Sequence, residues 1–129
     1  MIFKFEPIYK ERIWGGSKIK DFLQREIPLG NHVGESWEIV DREKDNSVIA
    51  NSNFKGKTLA EMLESHGKNV MGPKWETGSR FPLLVKWLDC SERLSLQVHP
   101  PSDIAETFSG EPKTENWYVA EASEDAGLF

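Results

Sequence analysis

The side chains best suited to chemistry stand in two short alternating runs in the last third of the sequence. The first run, LSLQVHP over residues 94–100, alternates apolar with polar residues and carries His99. In the second, KTENWY over residues 113–118, Lys113, Glu115 and Trp117 alternate in position with Thr114, Asn116 and Tyr118. Alternation with a period of two predicts strands that bury one face and present polar side chains on the other. Both polar faces would then carry metal-binding or charged groups.

Residues two apart on a strand point the same way and lie about 6.6 Å apart along the backbone. Gln97 and His99 therefore form one pair, and Lys113 and Glu115 form another. An imidazole nitrogen combined with carboxylate and amide oxygens suits zinc, and manganese, cobalt and nickel are open alternatives. Because Q-x-H and K-x-E are common in strands, a surface histidine beside an ordinary Lys/Glu pair is the competing interpretation.

Further apolar runs predict the strands that must position these groups. We expect a first strand near the N-terminus, over residues 3–9. A hairpin should follow, with strands over 34–40 and 47–50 joined by a polar turn. The apolar run 81–88 predicts a strand covered on both sides. His32, Glu35 and Glu38 are interpreted as charged or polar residues around a solvated strand.

Glycines and helical spacing predict the connections. Gly15 and Gly16 favour a tight turn, since glycine accepts positive φ. Apolar residues at helical spacing predict a helix over 19–23. Loop residues follow at Pro28, Gly30 and Asn31.

The sequence T-L-A-E predicts the clearest helix start in the chain. Thr58 is expected to cap an early N–H while Glu61 reaches back to it, and Gly67 is expected to end the helix. A shorter helix is expected after Ser102 or Asp103, closed by Gly110. Many short strands with a few helical insertions favour a mainly β fold, a β-barrel or jelly roll.

Composition restricts the classes of function. A chain of 129 residues suits a single domain over 1–129, and a formal net charge of −5 argues against a nucleic-acid binder. No apolar run approaches the roughly 20 residues of a membrane span, and the first ten residues lack the apolar core of a signal peptide. The one cysteine, Cys90, forms no intrachain disulfide and is expected to be a small buried residue. We therefore expect a cytoplasmic protein.

The ordered motifs resemble one known family. LSLQVHP followed by KTENWY is similar to the metal-binding core of the type I phosphomannose isomerases, the cupin-fold mannose-6-phosphate isomerases. FEPIYKERIWGG, GESWEI and FPLLVKWLD resemble earlier family segments in the same order. The resemblance runs from about residue 3 to residue 119 and implies a partial cupin-type jelly roll.

The resemblance also implies roles for particular side chains. Gln97, His99 and Glu115 correspond to zinc ligands, and Lys113 corresponds to a lysine that lines the sugar-phosphate site. Ser95 would lie at the floor of that site. The implied reaction interconverts mannose 6-phosphate and fructose 6-phosphate through a cis-enediol, with one Zn²⁺ per site and a small sugar phosphate as substrate. The residue acting as general base is not implied by the matched segments.

The resemblance covers only the N-terminal part of the family. Family members carry a further zinc-binding histidine and an active-site arginine farther on, and neither has a counterpart in these 129 residues. Three interpretations follow: part of an isomerase, a piece completed by another chain or a homodimer partner, or a sugar-phosphate-binding cupin without catalysis. We favour the isomerase.

Overall fold

The computed structural model describes residues 2–27, 32–110 and 112–128. The chain divides into two compact units, Met1–Leu94 and Ser95–Phe129. The loop expected at Pro28, Gly30 and Asn31 lies outside the described residues. Among the described residues, no helix combines the length and the apolar character needed to span a bilayer.

Two antiparallel sheets form the first unit. Strands β2 (Ile8–Gly16), β3 (Val33–Ile39) and β5 (Val85–Leu88) make a three-stranded sheet with β3 in the centre. Strands β1 (Phe5–Glu6) and β4 (Val48–Ile49) make a two-stranded sheet. The expected strands at 3–9, 34–40 and 47–50 are thus present with shifted ends.

The main core of the first unit packs helix α2 (Leu59–Met71) over β4. The buried residues of this core are all apolar: Ile49, Leu59, Met62 and Leu63. Six partly buried apolar residues pack around them: Phe3, Phe5, Ile39, Phe54, Trp75 and Phe81. Removing apolar area of this kind from water is the main stabilising contribution to the unit.

The predicted start of α2 is confirmed, whereas its predicted end is wrong. The Thr58 side chain accepts from the Glu61 N–H at 3.2 Å, and the Glu61 carboxylate accepts from the Thr58 N–H at 2.8 Å. The helix continues through Gly67 to Met71 and ends at Gly72, where φ is 106°. Gly67 is instead a packing position, because a Cβ there would overlap the Trp75 indole.

The expected turn at Gly15 and Gly16 is also wrong. Both glycines belong to β2, and neither has positive φ. Glycine is needed at both positions because neighbouring atoms leave no room for a side chain. A Cβ on Gly15 would lie 2.5 Å from the backbone nitrogen of Gly34, and one on Gly16 would lie 2.8 Å from the Asp89 carboxylate. The helix expected next is confirmed as α1 (Lys18–Leu23).

Two strand predictions fail in their pairing. The hairpin after β3 is limited to a bridge between Asp41 and Asn46, because β4 pairs with β1 instead. The run 81–88 is a strand only over Val85–Leu88, at an edge of its sheet, and its side chains are not buried on both faces as expected. Leu83 and Val85 are accordingly exposed.

The second unit contains no strand among its described residues. Residues 94–99 and 113–118 are assigned neither strand nor helix, so the two strands predicted there are not formed. The alternating side chains Leu96 and Val98 are 94% and 84% exposed. A strand needs a hydrogen-bonded neighbour, and alternation alone does not supply one. The short helix expected after residue 102 is present as a 3-10 helix, Ala105–Phe108.

Candidate metal and sugar-phosphate site

Three of the predicted site residues meet around the carboxylate of Glu115 in the second unit. The Lys113 Nζ lies 2.7 Å from Glu115 Oε1, and the His99 Nε2 lies 3.9 Å from Glu115 Oε2. All three side chains are about one third exposed. His99 and the Lys/Glu pair therefore lie close together even though neither segment is a strand.

The His99 imidazole nitrogen is the most informative atom of this group. His99 Nε2 is buried and has no hydrogen-bond partner. Two N or O ligands of a tetrahedral zinc ion lie roughly 3.4 Å apart, since each bond is about 2.0–2.2 Å long. The 3.9 Å between the nitrogen and Glu115 Oε2 is somewhat longer, so a small movement of one side chain would bring both atoms to the ion. In donor type and approximate position, the two residues fit a zinc ion.

Gln97 and Ser95 form a separate contact in the same unit. The Gln97 amide nitrogen donates to the Ser95 hydroxyl at 3.4 Å, and both side chains are exposed. Within residues 2–27, 32–110 and 112–128, no three His, Cys, Asp or Glu side chains form a metal-binding group. The roles of Gln97, His99 and Glu115 as ligands, and of Ser95 and Lys113 as substrate contacts, stay predictions.

A buried carboxylate in the first unit was misjudged from the sequence. Glu35, expected on a solvated strand, is only 6% exposed. It accepts from the Trp37 indole at 2.7 Å, from Arg12 at 3.1 Å and from Lys86 at 3.3 Å. Burial raises the pKa of Glu35, but the Trp37 hydrogen bond and the charges of Lys86 and Arg12 outweigh it and lower the pKa below its ordinary value.

Lys86, the one charged residue within FPLLVKWL, is the feature of the sequence that could have indicated this buried cluster. Lys86 pairs in register with Trp37 across β3 and β5, and its ammonium contacts Glu35 two residues earlier on β3. A lysine within an apolar strand is seldom buried unless it is paired. The cluster ties together the three strands of the sheet, because its charged members come from β2, β3 and β5.

Two other polar residues singled out near β3 also have structural partners. The Arg25 guanidinium donates to Glu38 at 2.9 and 3.0 Å, and this hydrogen bonding outweighs burial and raises the pKa of Arg25 above its ordinary value. The Ser36 hydroxyl donates to the same carboxylate at 2.7 Å. His32 Nδ1 lies 3.3 Å from the carbonyl oxygen of Gly15.

The expectation of a buried Cys90 is wrong. Cys90 follows β5 and is exposed, while its neighbour Asp89 is buried. The Asp89 carboxylate accepts from the Lys18 N–H at 2.6 Å, which draws Asp89 rather than Cys90 inward. Partial burial of the sulfur, followed by the charge of Asp89, raises the pKa of the Cys90 thiol.

Comparison with known proteins agrees with the order of motifs. The family model described as phosphomannose isomerase type I, catalytic domain, matches residues 2–126. Mannose-6-phosphate isomerase ManA of Bacillus subtilis is 42% identical over 127 residues, covering 97% of this chain and 39% of ManA. Mannose-6-phosphate isomerase of Streptococcus mutans is 37% identical over 130 residues, covering 96% of this chain and 40% of that protein.

A solved structure extends the likeness to the fold. The crystal structure of mannose 6-phosphate isomerase from Bacillus subtilis matches with a TM-score of 0.73 at 40% identity, covering 85% of this chain and 34% of that one. This match confirms the expected fold, which is mainly β and is part of a cupin-type jelly roll with short helices inserted. The chain spans about two fifths of the length of the curated relatives it matches. It belongs to the type I phosphomannose isomerase family.

Proposed function

We propose that this chain carries the metal-binding part of a zinc-dependent isomerase that interconverts mannose 6-phosphate and fructose 6-phosphate. The observation that carries the proposal is the buried His99 Nε2 without a hydrogen-bond partner, 3.9 Å from the Glu115 carboxylate. A buried polar atom without a partner is costly, and a metal ion is one group that removes the cost. The similarity to mannose-6-phosphate isomerases supports the choice of substrate.

His99 and Glu115 would hold the ion, with the Gln97 amide oxygen as the third ligand. Bound zinc supplies a Lewis acid near the sugar C1 and C2 oxygens, where negative charge develops during isomerisation. The Gln97 amide nitrogen donates to the Ser95 hydroxyl at 3.4 Å, and the amide oxygen of this exposed side chain would be the ligand.

The isomerisation itself is a proton transfer between neighbouring carbons. A base removes the proton from C2 of the open-chain aldose, the C2–H electron pair forms the C1=C2 bond, and the C1 carbonyl oxygen gains a proton. The cis-enediol then loses the proton on the C2 oxygen, C2 becomes the ketone, and C1 gains a proton. Each half of the reaction needs general acid–base assistance.

Lys113 is suited to stabilise negative charge in this site. Its ammonium lies 2.7 Å from the Glu115 carboxylate and is about one third exposed, so it can also reach a bound anion. An ammonium binds phosphate or an enediolate oxygen as a compact positive charge. Ser95 would contribute a hydroxyl to the same sugar phosphate.

The exposed free thiol of Cys90 favours a reducing compartment, and we propose the cytoplasm.

The zinc proposal is tested by metal analysis and zinc titration of the purified protein. We expect one zinc per chain and its loss in His99→Ala. Because even groups that only orient a ligand are worth about 10- to 100-fold in metal affinity, removal of the ligand itself should cost at least about 100-fold. His66→Ala is the matched control, since His66 lies on α2 against Phe54. Equal zinc affinity in both variants would contradict the proposal.

The reaction is tested by a coupled assay for fructose 6-phosphate formed from mannose 6-phosphate. Turnover that depends on zinc and on His99 supports the isomerase. Sugar-phosphate binding without turnover, in a preparation with full zinc content and the complete fold, would favour the non-catalytic binding protein instead.

A further inference from the structure

The amide group of Gln97 has two different ends, and only one of them can bind a cation. The amide oxygen carries lone pairs, whereas the NH2 group donates hydrogen bonds and offers nothing to a metal ion. Rotation about the last side-chain bond of glutamine is broad and roughly two-fold, so this torsion does not itself select an end. A glutamine in a metal site therefore needs a neighbour that fixes which end is presented to the ion.

The Ser95 hydroxyl is the neighbour that contacts this amide. The Gln97 nitrogen Nε2 donates to Ser95 Oγ at 3.4 Å. Among the residues that the structure describes, neither side chain makes another hydrogen bond, so the amide oxygen of Gln97 has no partner there. The bond thus engages the nitrogen end of the amide and leaves the oxygen end for a ligand role.

Exposure gives this contact its importance for the orientation of the amide. Ser95 and Gln97 are both exposed, so packing does not restrict the rotation. A hydrogen bond of this kind contributes only modestly to stability, but a choice between two similar orientations needs only a small bias. Glu115 does not depend on such a choice, because a carboxylate presents an oxygen whichever way it turns. Of the two proposed oxygen ligands, Gln97 is therefore the one that requires a positioning partner.

The Ser95 hydroxyl can hold the amide and still contact a substrate. A hydroxyl has one donor hydrogen and two acceptor lone pairs. The Gln97 amide uses one lone pair, so the O–H of Ser95 stays available to a sugar phosphate. The two roles can be separated by experiment, because the first changes zinc affinity and the second changes substrate binding.

We propose that Ser95 is a positioning residue for the metal site, whose hydroxyl holds the Gln97 NH2 group so that the amide oxygen is presented to the ion. The inference rests on the proposed zinc site of Gln97, His99 and Glu115, and it adds a requirement for a hydroxyl at residue 95. Groups that orient metal ligands are worth about 10- to 100-fold in metal affinity. Because the contact to Ser95 is long and exposed, we expect the lower end of that range.

Zinc titration of the purified protein and its variants, without substrate, tests the role of Ser95. Ser95→Ala should weaken zinc binding by about tenfold, and Ser95→Thr, which keeps a hydroxyl, should stay within about threefold of the native affinity. Ser102→Ala is the matched control, since Ser102 is also exposed in the second unit and its side chain bonds to none of the described residues. The control should stay within about twofold. Equal zinc affinity in Ser95→Ala and the native protein would overturn the inference.

A glutamate at residue 97 separates orientation of the amide from other effects on the site. In Gln97→Glu, either carboxylate oxygen can bind the ion, so no neighbour has to select an end. Adding Ser95→Ala to this background should change zinc affinity by less than about twofold, which makes the two positions energetically coupled. A loss of about tenfold in both backgrounds would show that Ser95 does not act through the amide, and it would overturn the inference.

The same measurements distinguish failure of this inference from failure of the proposed function. Zinc binding that requires His99 but is insensitive to Ser95→Ala would leave the zinc site in place and remove the role of Ser95. A native protein that binds no zinc would overturn both. A higher KM for mannose 6-phosphate in Ser95→Ala, at unchanged zinc affinity, would assign the serine to the substrate alone and so overturn the positioning role.

Discussion

The carboxylate of Glu35 accepts a hydrogen bond from the indole of Trp37, two residues later on the same strand. Residues two apart on a strand share a face, so this bond fixes the Glu35 side chain on that face of β3. Arg12 and Lys86 then reach the same carboxylate from the strands on either side. The three strands of this sheet are thereby joined by ion pairs to Glu35 as well as by backbone hydrogen bonds.

Glu35→Gln should destabilise the first unit and flatten its response to acid. The lowered pKa means that the folded state holds this proton less readily than the unfolded state, so the ionised carboxylate stabilises the fold above its ordinary pKa of 4.5. That contribution disappears as pH falls through the lower folded value. We expect a loss of roughly 1–3 kcal/mol near neutral pH, measured by urea unfolding.

The pH profile provides the control for this prediction. The difference between the native chain and Glu35→Gln should shrink below pH 4.5. Glu11→Gln, at an exposed position on β2, should change the free energy of unfolding by less than about 0.5 kcal/mol near neutral pH. A gap between native and Glu35→Gln that widens in acid would contradict the assignment.

Gly67→Ala tests whether the indole of Trp75 sets the identity of residue 67. Alanine is favoured over glycine inside a helix by about 1 kcal/mol, but its Cβ would overlap the Trp75 ring. We expect the overlap to prevail and the free energy of unfolding to fall by roughly 1–3 kcal/mol. In a Trp75→Ala background the same substitution should raise stability. The same sign in both backgrounds would show that the contact is unimportant.

Lys113→Met should separate charge stabilisation from positioning of the metal ligand. If Lys113 acts on the substrate, the variant keeps its zinc while turnover falls by about 100-fold or more. If the lysine mainly holds Glu115 at 2.7 Å, zinc affinity falls with it. We expect the first result, with Lys113→Arg keeping the charge and part of the rate. Zinc titration and the coupled assay, run on the same preparations, distinguish the two outcomes.

Cys90 offers a simple chemical test of the environment after β5. Burial and then Asp89 raise the pKa of this thiol above its ordinary value of 9.0. The thiolate is the reactive form, so alkylation of the folded chain should rise with pH through a midpoint above that value. The chain has a single cysteine, which makes the rate unambiguous. A midpoint at or below the one measured in denaturant would contradict the prediction.

The sequence predicted best those features that depend on near neighbours. The capping box of α2 needs only Thr58 and Glu61, three residues apart, and it is present as expected. Gly67, which was expected to end the same helix, is instead a packing position against Trp75, which lies beyond the helix. Helical periodicity contains no information about that contact.

Strand pairing was the least predictable feature, for a related reason. Alternation indicated which residues favour an extended conformation, but not that β4 would pair with β1 rather than with β3. It also could not show that 94–99 would have no neighbour among the described residues. At the candidate site, the meeting of His99 with Glu115 was predicted, whereas the burial of Glu35 depended on partners from two other strands.

The hydrogen bond from the Lys18 N–H to the Asp89 carboxylate has a consequence for the order in which the helices fold. Helix α1 has only six residues, its Ser17 side chain makes no cap bond, and the Lys18 N–H bonds to a carboxylate 71 positions later. During synthesis, Asp89 becomes available to α1 only after nearly the whole first unit has left the ribosome. Closing so long a loop is slow compared with local helix formation. We therefore expect α2 to form before α1 is fixed in place.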